Sequence, residues 1–384
     1  MANTLTAILP TIYEAADVIS RELTGFIPAV FRNSSAARAA KDQSVTYPVA
    51  AAMTAADITP AATSSSGTDQ TVGSGTMTIS KSRKVSFNWT GEEQRALSNG
   101  DRPQGQNVMR DQFVQAMRTL VNEVESDLWL AAYKASSRGY GTAATTPFGT
   151  ANDLSDFAGV LQILEDNGCP FGDRHLVVGS AAMANIRGKQ SVLFKVNESG
   201  TSELLRRGSI GEVQGMMIHN SYPIAVHTAG TGTGYLVNTG GGEAVGQTTI
   251  TTDTGTGTIL AGDIVTFAGT SHKYVVNTAF SAGSFAIGAP GLRVLEADND
   301  AITVGAAYTP NVAFDRNAIH LITRAPAMPS GGDGADDVIE VTDPQTGLAF
   351  QVALYRQYRQ ISYEVGLAWG VKAVKSEHIA TLLG

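Results

Sequence analysis

Chemistry needs nucleophiles, bases or ligands at set spacings, and this sequence offers few. No Gly-x-Ser-x-Gly turn presents a serine, and no His-Glu-x-x-His sets two imidazoles on one helical face around a metal. Gly188-Lys189-Gln190 comes nearest to a phosphate loop, but it lacks the preceding glycine spacing and the hydroxyl that holds magnesium, so it reads as a surface turn. Gly230, Gly232 and Gly234, followed by Gly240 to Gly242, never satisfy G-x-G-x-x-G between a strand and a helix, and read as turn chemistry. His175, His219, His227, His272, His320 and His378 are scattered, with no two at helical ligand spacing. Asp333, Asp336 and Asp337 lack the alternating oxygen ligands of a calcium loop and read as a solvated acidic loop. Ser271-His272 and Cys169 have no identifiable base or orienting partner. The expectation is no catalytic residue, no cofactor and no metal: not an enzyme.

The composition sets wider bounds. At roughly 150 residues per domain, 384 residues suggest two or three domains. Hydrophobic residues at 43% and charged residues at 16% fit a chain with a large core and exclude wholesale disorder. Lys+Arg 27 against Asp+Glu 35 leaves a net charge of -8, so a nucleic-acid role cannot rest on a bulk positive field. The single Cys169 excludes an intrachain disulfide and a multi-cysteine zinc site. No apolar run approaches the ~18 residues that span a bilayer, and the N-terminus lacks the pattern of a secretory signal, so a soluble protein made in the cytoplasm is expected.

Several elements are legible. Pro10 suits a first helical turn, and Ile12, Ala16, Ile19 and Leu23 repeat at helical spacing up to Gly25, which predicts a short amphipathic helix. Thr54 to Thr76 is rich in Ala, Ser, Thr and Gly without a sustained period, and builds no core; it reads as an arm ordered by contacts outside its own fold. Thr76 to Ser80 and Lys84 to Trp89 read as a β-hairpin around Lys81 to Arg83, with Val85, Phe87 and Trp89 on one face. From Pro103 to about Lys134, Met109, Phe113, Met117, Leu120, Val124, Leu128 and Ala131 recur every three or four residues, predicting one long helix with a core-packing stripe.

Beyond it, Phe157 to Leu164, His175 to Val178 and Met183 to Arg187 alternate helix and strand signals, as in a mixed α+β unit. Positions 228 to 309 then hold 15 of the 41 glycines and two Lys/Arg against six Asp/Glu, marking the clearest boundary. Asp263 to Phe267, Lys273 to Thr278, Ser284 to Ile287 and Ala301 to Val304 predict a small all-β barrel or sandwich inserted into an older domain. Mixed structure returns at Ile319 to Thr323. In the last segment Ile361, Tyr363, Val365, Leu367, Trp369 and Val371 alternate with Ser362, Glu364, Gly366, Ala368 and Gly370, predicting a strand with one apolar face and one face of small residues.

Leu9-Pro10-Thr11-Ile12-Tyr13-Glu14-Ala15, Gly25-Phe26-Ile27-Pro28, the Gly262-to-Gly269 stretch and the order of parts resemble the major capsid (coat) proteins of tailed bacteriophages, of the short-tailed-phage coat type with an inserted β-barrel domain. The resemblance implies an α+β fold of the tailed-phage/herpesvirus capsid kind. Its parts would be an N-terminal arm and helix (1–53), an extended loop (54–91), a peripheral domain with the spine helix (92–150), an axial domain (151–228), the inserted β domain (229–309) and a return (310–384). It implies self-assembly as pentamers and hexamers into an icosahedral shell that encloses double-stranded DNA without sequence-specific binding. Scaffolding protein and portal would be partners, no membrane would be involved, and the virion capsid, assembled in the bacterial host cytoplasm, would be the location. Val85, Phe87 and Trp89 are the expected anchors on a neighbouring subunit, since aromatic residues often dominate interfaces. Some relatives crosslink through a lysine of the extended loop; Lys81 and Lys84 fall there, with noncovalent assembly expected. Asp298 and Asp300 are the positions taken for the acidic loop that joins capsomers. The Gly/Thr-rich β region keeps a second reading open, a phage tail-tube or adhesion protein forming rods, rings or trimers.

Overall fold

One helix, Arg102–Lys134, organises the larger half of the molecule. Its 33 residues reach about 50 Å at 1.5 Å per residue, and Phe113, Met117, Leu120, Val124 and Leu128 of the expected stripe are all buried. The computed structural model describes residues 9–20, 24–34, 38–49, 55, 57, 58, 60, 73–98, 102–190, 193, 210–253, 255–343 and 346–384. The N-terminal helix Leu9–Ser20 lays Ile12, Ala15 and Ala16 on the same core, with Glu14 4.0 Å from Arg110. The side chains of Ile19 and Leu23 lie outside the described residues, as does most of the expected arm Thr54 to Thr76, of which residues 73–76 belong to strand Gly73–Thr78.

Beneath the long helix lies a six-stranded sheet built around Gln360–Ala373. On one side this strand pairs with Lys81–Thr90; on the other it pairs first with Ala349–Gln357 and then with Ile319–Arg324. Asp337–Thr342 and Phe31–Ser34 close the far edges. The alternation read from the sequence is present, and both faces are used. Tyr363, Val365, Leu367 and Trp369 meet the helix, whereas Ala368 meets Met77 and Ile79 on the opposite side. Small residues there allow close approach: a Cβ on Gly370 would lie 2.1 Å from the Thr78 carbonyl oxygen.

The expected hairpin is corrected. Gly73–Thr78 pairs with Ser44–Val49, while Lys81–Thr90 pairs with Gln360–Ala373, so the two neighbouring strands belong to different sheets. Local alternation identifies strands, but a strand's partner is chosen by long-range burial.

Twelve strands form the second sheet. Met216–Asn220, Arg174–Val178, Pro310–Asp315 and Ile379–Leu383 follow one another in one half of it, flanked by helices Ser155–Asp166 and Ser180–Lys189. The strands expected near 263, 273, 284 and 301 occur as Ile264–Phe267, Lys273–Ser281, Ser284–Ile287 and Ala301–Val304, around their own cluster of Tyr235, Ile250, Phe267, Val276, Phe285 and Ile302. Lys273 and Tyr274 pair with Gly139 and Arg138, and this short strand joins the β-rich region edge-on to the mixed sheet.

Candidate functional site

The anchors expected to reach a neighbour are turned onto the chain's own helix. The Trp89 indole N–H donates to Gln112 Oε1 at 2.5 Å and its side chain keeps 5% exposure, leaving almost nothing for a partner. Phe87 packs edge-on to Phe113, centroids 5.0 Å apart, and stacks on Tyr363 at 5.4 Å. The reason is register: Val85, Phe87 and Trp89 stand opposite Val365, Tyr363 and Ile361, so the apolar row continues the helix-covered face of the sheet. Val85 and Phe87 stay half-buried along a shallow groove beside the helix, with Val108, Gln112 and Ala116.

Both lysines have partners in their own chain. Lys81 Nζ lies 2.8 Å from Asp127 Oδ1, and Asp127 Oδ2 accepts the indole N–H of the buried Trp369 at 2.8 Å. Lys84 Nζ meets Glu364 Oε2 at 2.8 Å while its side chain remains 65% exposed. Such exposed pairs contribute about 0–1 kcal/mol, so Lys84 is the more available of the two. Asp300 accepts the Ala297 N–H at 2.6 Å within its own turn, and Asp298 accepts the Thr239 N–H at 3.1 Å and ties that turn to a loop 59 residues earlier; Asp298 is exposed and Asp300 half-buried.

Folding gathers histidines that sequence leaves apart. His175 Nδ1 lies 3.0 Å from His219 Nε2, and its Nε2 lies 2.9 Å from Asp173 Oδ1 and 3.3 Å from Arg316 Nη2. Adjacent parallel strands bring the imidazoles together, with His175 opposite Met217 and His219 opposite Val177. Burial, with His175 and Arg316 close by, pushes His219 down to about 4, and burial lowers His175 too. A neutral pair sharing one hydrogen bond results. Among the described residues no three His, Cys, Asp or Glu groups converge on a position that could hold a metal.

A second polar group fixes the end of the long helix to the β-rich region. Asp263, fully buried, accepts from His227 Nε2 at 2.9 Å, Leu260 N at 2.7 Å and Gly230 N at 3.0 Å. The Tyr133 hydroxyl lies 3.3 Å from His227 Nδ1 and is pushed up to about 12, chiefly by burial and secondarily by Asp263. The order Asp, His, hydroxyl is that of a proton relay, yet His227, Asp263, Tyr133 and Tyr308 are all buried; the Tyr308 hydroxyl donates to the Gly262 carbonyl at 2.6 Å. The cluster joins structural parts.

Sequence reasoning missed Glu125. It lies buried on the long helix and accepts the backbone N–H groups of Gly25, Phe26 and Ile27 at 2.5, 2.6 and 3.0 Å, and the Ser221 hydroxyl at 2.7 Å. Burial raises its carboxyl above the ordinary value, and those four donors oppose the rise. In the sequence Glu125 is one of the charges that fall largely off the apolar stripe, with Arg110, Asp111, Arg118 and Glu123, and nothing in the spacing sets it apart from them.

No protein-family model matches the chain, and no curated protein sequence matches it. Among solved structures it is similar to a chain of Mycobacterium phage Che8, at 14% identity over 89% of this chain and 85% of that one, with a TM-score of 0.46. It is also similar to the mature capsid of bacteriophage PhiM1, at 10% identity over 94% and 86%, TM-score 0.46. A third likeness is to a virus-like particle from Pyrococcus furiosus, at 9% identity over 97% and 98%, TM-score 0.42. No helix among the described residues is long and apolar enough to cross a membrane.

Proposed function

We propose that this chain is a structural capsid subunit that assembles as pentamers and hexamers into an icosahedral shell around phage double-stranded DNA. The observation that carries the reading is the order of parts along one polypeptide. A docked N-terminal helix is followed by a two-stranded ribbon, a long edge strand, a 33-residue helix, a mixed α/β sheet, a β-rich region and returning strands that rejoin both sheets. Such an order supports the capsid reading, which the collinear order of the resembling stretches first suggested.

A shell built on such a subunit needs contacts that are individually modest and collectively decisive. Scaffolding protein and portal are the partners of such a shell, and the net charge of -8 suits a wall that encloses DNA without gripping it. Of the expected contact residues, Lys84 and Asp298 keep exposed side chains, and Val85 and Phe87 border a groove; these remain the contact candidates. Negative-stain microscopy of the expressed chain, alone at high concentration and with a scaffolding protein, tests the reading. Closed shells are expected. Rods or trimers would favour the tail-tube or adhesion reading, and a permanent monomer by sedimentation would remove both.

A further inference from the structure

We propose that the sheet under the long helix continues from copy to copy, strand Lys81–Thr90 of one chain pairing with strand Asp337–Thr342 of the next. The inference deepens the capsid reading and rests on it. Lys81–Thr90 pairs along its whole length with Gln360–Ala373 on one side, and no strand lies on its other side among the described residues. At about 3.3 Å per residue, its ten residues present an open edge of roughly 33 Å, the kind that recruits another strand. Asp337–Thr342 likewise pairs only with Ala349–Gln357 among the described residues, and forms the opposite edge of the same sheet.

Strand direction makes the two edges fit. Lys81–Thr90, Gln360–Ala373, Ala349–Gln357 and Asp337–Thr342 follow one another across the sheet, each antiparallel to the next. With four strands the two outermost run in opposite directions. A second copy displaced along the hydrogen-bonding direction, its helix on the same side, therefore brings its Asp337–Thr342 beside Lys81–Thr90 antiparallel, the more stable pairing. Ile339 packs on the helix-covered core of its own chain, so on that shared face it would meet the apolar groove of about 410 Å³ bounded by Val85, Phe87, Val108 and Ala116.

Charge agrees with direction. Lys81, Arg83 and Lys84 are the only charges of one edge strand and Asp337 and Glu340 the only charges of the other, with Asp336 just before it held by Arg356 at 2.6 Å. Arg83–Glu123 at 3.6 Å, Lys84–Glu364 at 2.8 Å and Arg38–Glu340 at 3.5 Å are pairs open to solvent, which a neighbouring copy can exchange at little cost. The contact joins two different surfaces, and such head-to-tail contacts close into rings when the rotation per copy permits, a rotation that sheet twist supplies.

Disulfide trapping tests the pairing. In a Cys169→Ala background, Ser86→Cys combined with Val338→Cys, and separately with Glu340→Cys, samples two registers on the face away from the helix. Assembled double variants should give a ladder of covalent multimers on oxidation, and the single variants none. Shells without a ladder in either double variant would overturn the pairing and leave the capsid reading standing; failure of the unmodified chain to assemble would overturn both. As a second arm, Lys84→Glu and Glu340→Lys should each lower the assembled fraction and together restore it. No restoration in a double variant that keeps the native circular dichroism would count against the pairing.

Discussion

The carboxylate of Glu125 lies 2.6 Å from the backbone nitrogen of Phe26, and this bond joins the C-terminal third of the long helix to a segment 99 residues earlier in the chain. Three successive N–H groups at the start of helix Phe26–Ala29 find in it the acceptor that a helix start lacks. Ser221, just past strand Met216–Asn220, completes the set, so one side chain ties together the N-terminal segment, the long helix and the mixed sheet. Gly25 is required at the joint: a Cβ there would lie 2.8 Å from the Asn220 carbonyl oxygen and from Val177.

Replacing Glu125 by Ala should cost about 3 kcal/mol, because four buried donors lose their acceptor. Glu125→Gln, which keeps one carbonyl oxygen but adds donors where acceptors are needed, should recover only part of that loss. Urea unfolding at neutral pH reads both values. A loss under about 1 kcal/mol for Glu125→Ala would mean that water replaces the carboxylate.

Gly370→Ala should destabilise the chain by about 1–3 kcal/mol, as overpacking does. The added methyl collides with the Thr78 carbonyl, a backbone atom that can yield only by lifting the ribbon of Ser44–Val49 and Gly73–Thr78 off the sheet. Amide exchange should therefore quicken in that ribbon before it quickens in the long helix.

Why some of this was legible and some was not follows from the range of the forces involved. The long helix announces itself because one-sided burial imposes a three-to-four spacing on Phe113, Met117, Leu120, Val124 and Leu128, a signal contained within the element. The strand around Trp369 shows its small-residue face for the same reason, though what covers that face, Met77 and Ile79, is nearly three hundred residues away in sequence. Alternation marks Lys84 to Trp89 as a strand but not its partner, so the expected turn at Lys81 to Arg83 is in fact the start of the strand that pairs with Gln360–Ala373. Glu125 and the His175–His219 pair were invisible, each becoming a feature only when distant strands and helices close around it.

Acid should expose the histidine pair. His219 sits near 4 in the folded chain against an ordinary 6.5, so between those values the unfolded chain takes up a proton that the folded one refuses. The stability linked to this group is then complete above about pH 6.5 and is lost as the pH falls toward 4. Asp173 and Arg316, which flank His175, bear on the pair with opposite signs. His219→Gln removes the titration, and its melting temperature should fall less between about pH 7 and pH 5 than that of the parent. Parallel curves would show that the pair does not set the acid response.

Trp89 and Lys84 separate stability from assembly. Trp89 is buried against Gln112 and the long helix, so Trp89→Ala should remove about 3–5 kcal/mol from the monomer itself, visible as an earlier urea midpoint and a changed near-ultraviolet circular dichroism. Any assembly defect would follow from that loss. Lys84 stands at the same strand with most of its side chain in solvent and an exposed partner interaction worth little. Lys84→Ala should leave the unfolding free energy from urea titration within about 0.5 kcal/mol of the parent while reducing the yield of assembled particles. If both substitutions instead left the midpoint untouched and lowered assembly alike, Trp89 would have to face a neighbour in the shell, and the inward packing described for it would not survive assembly.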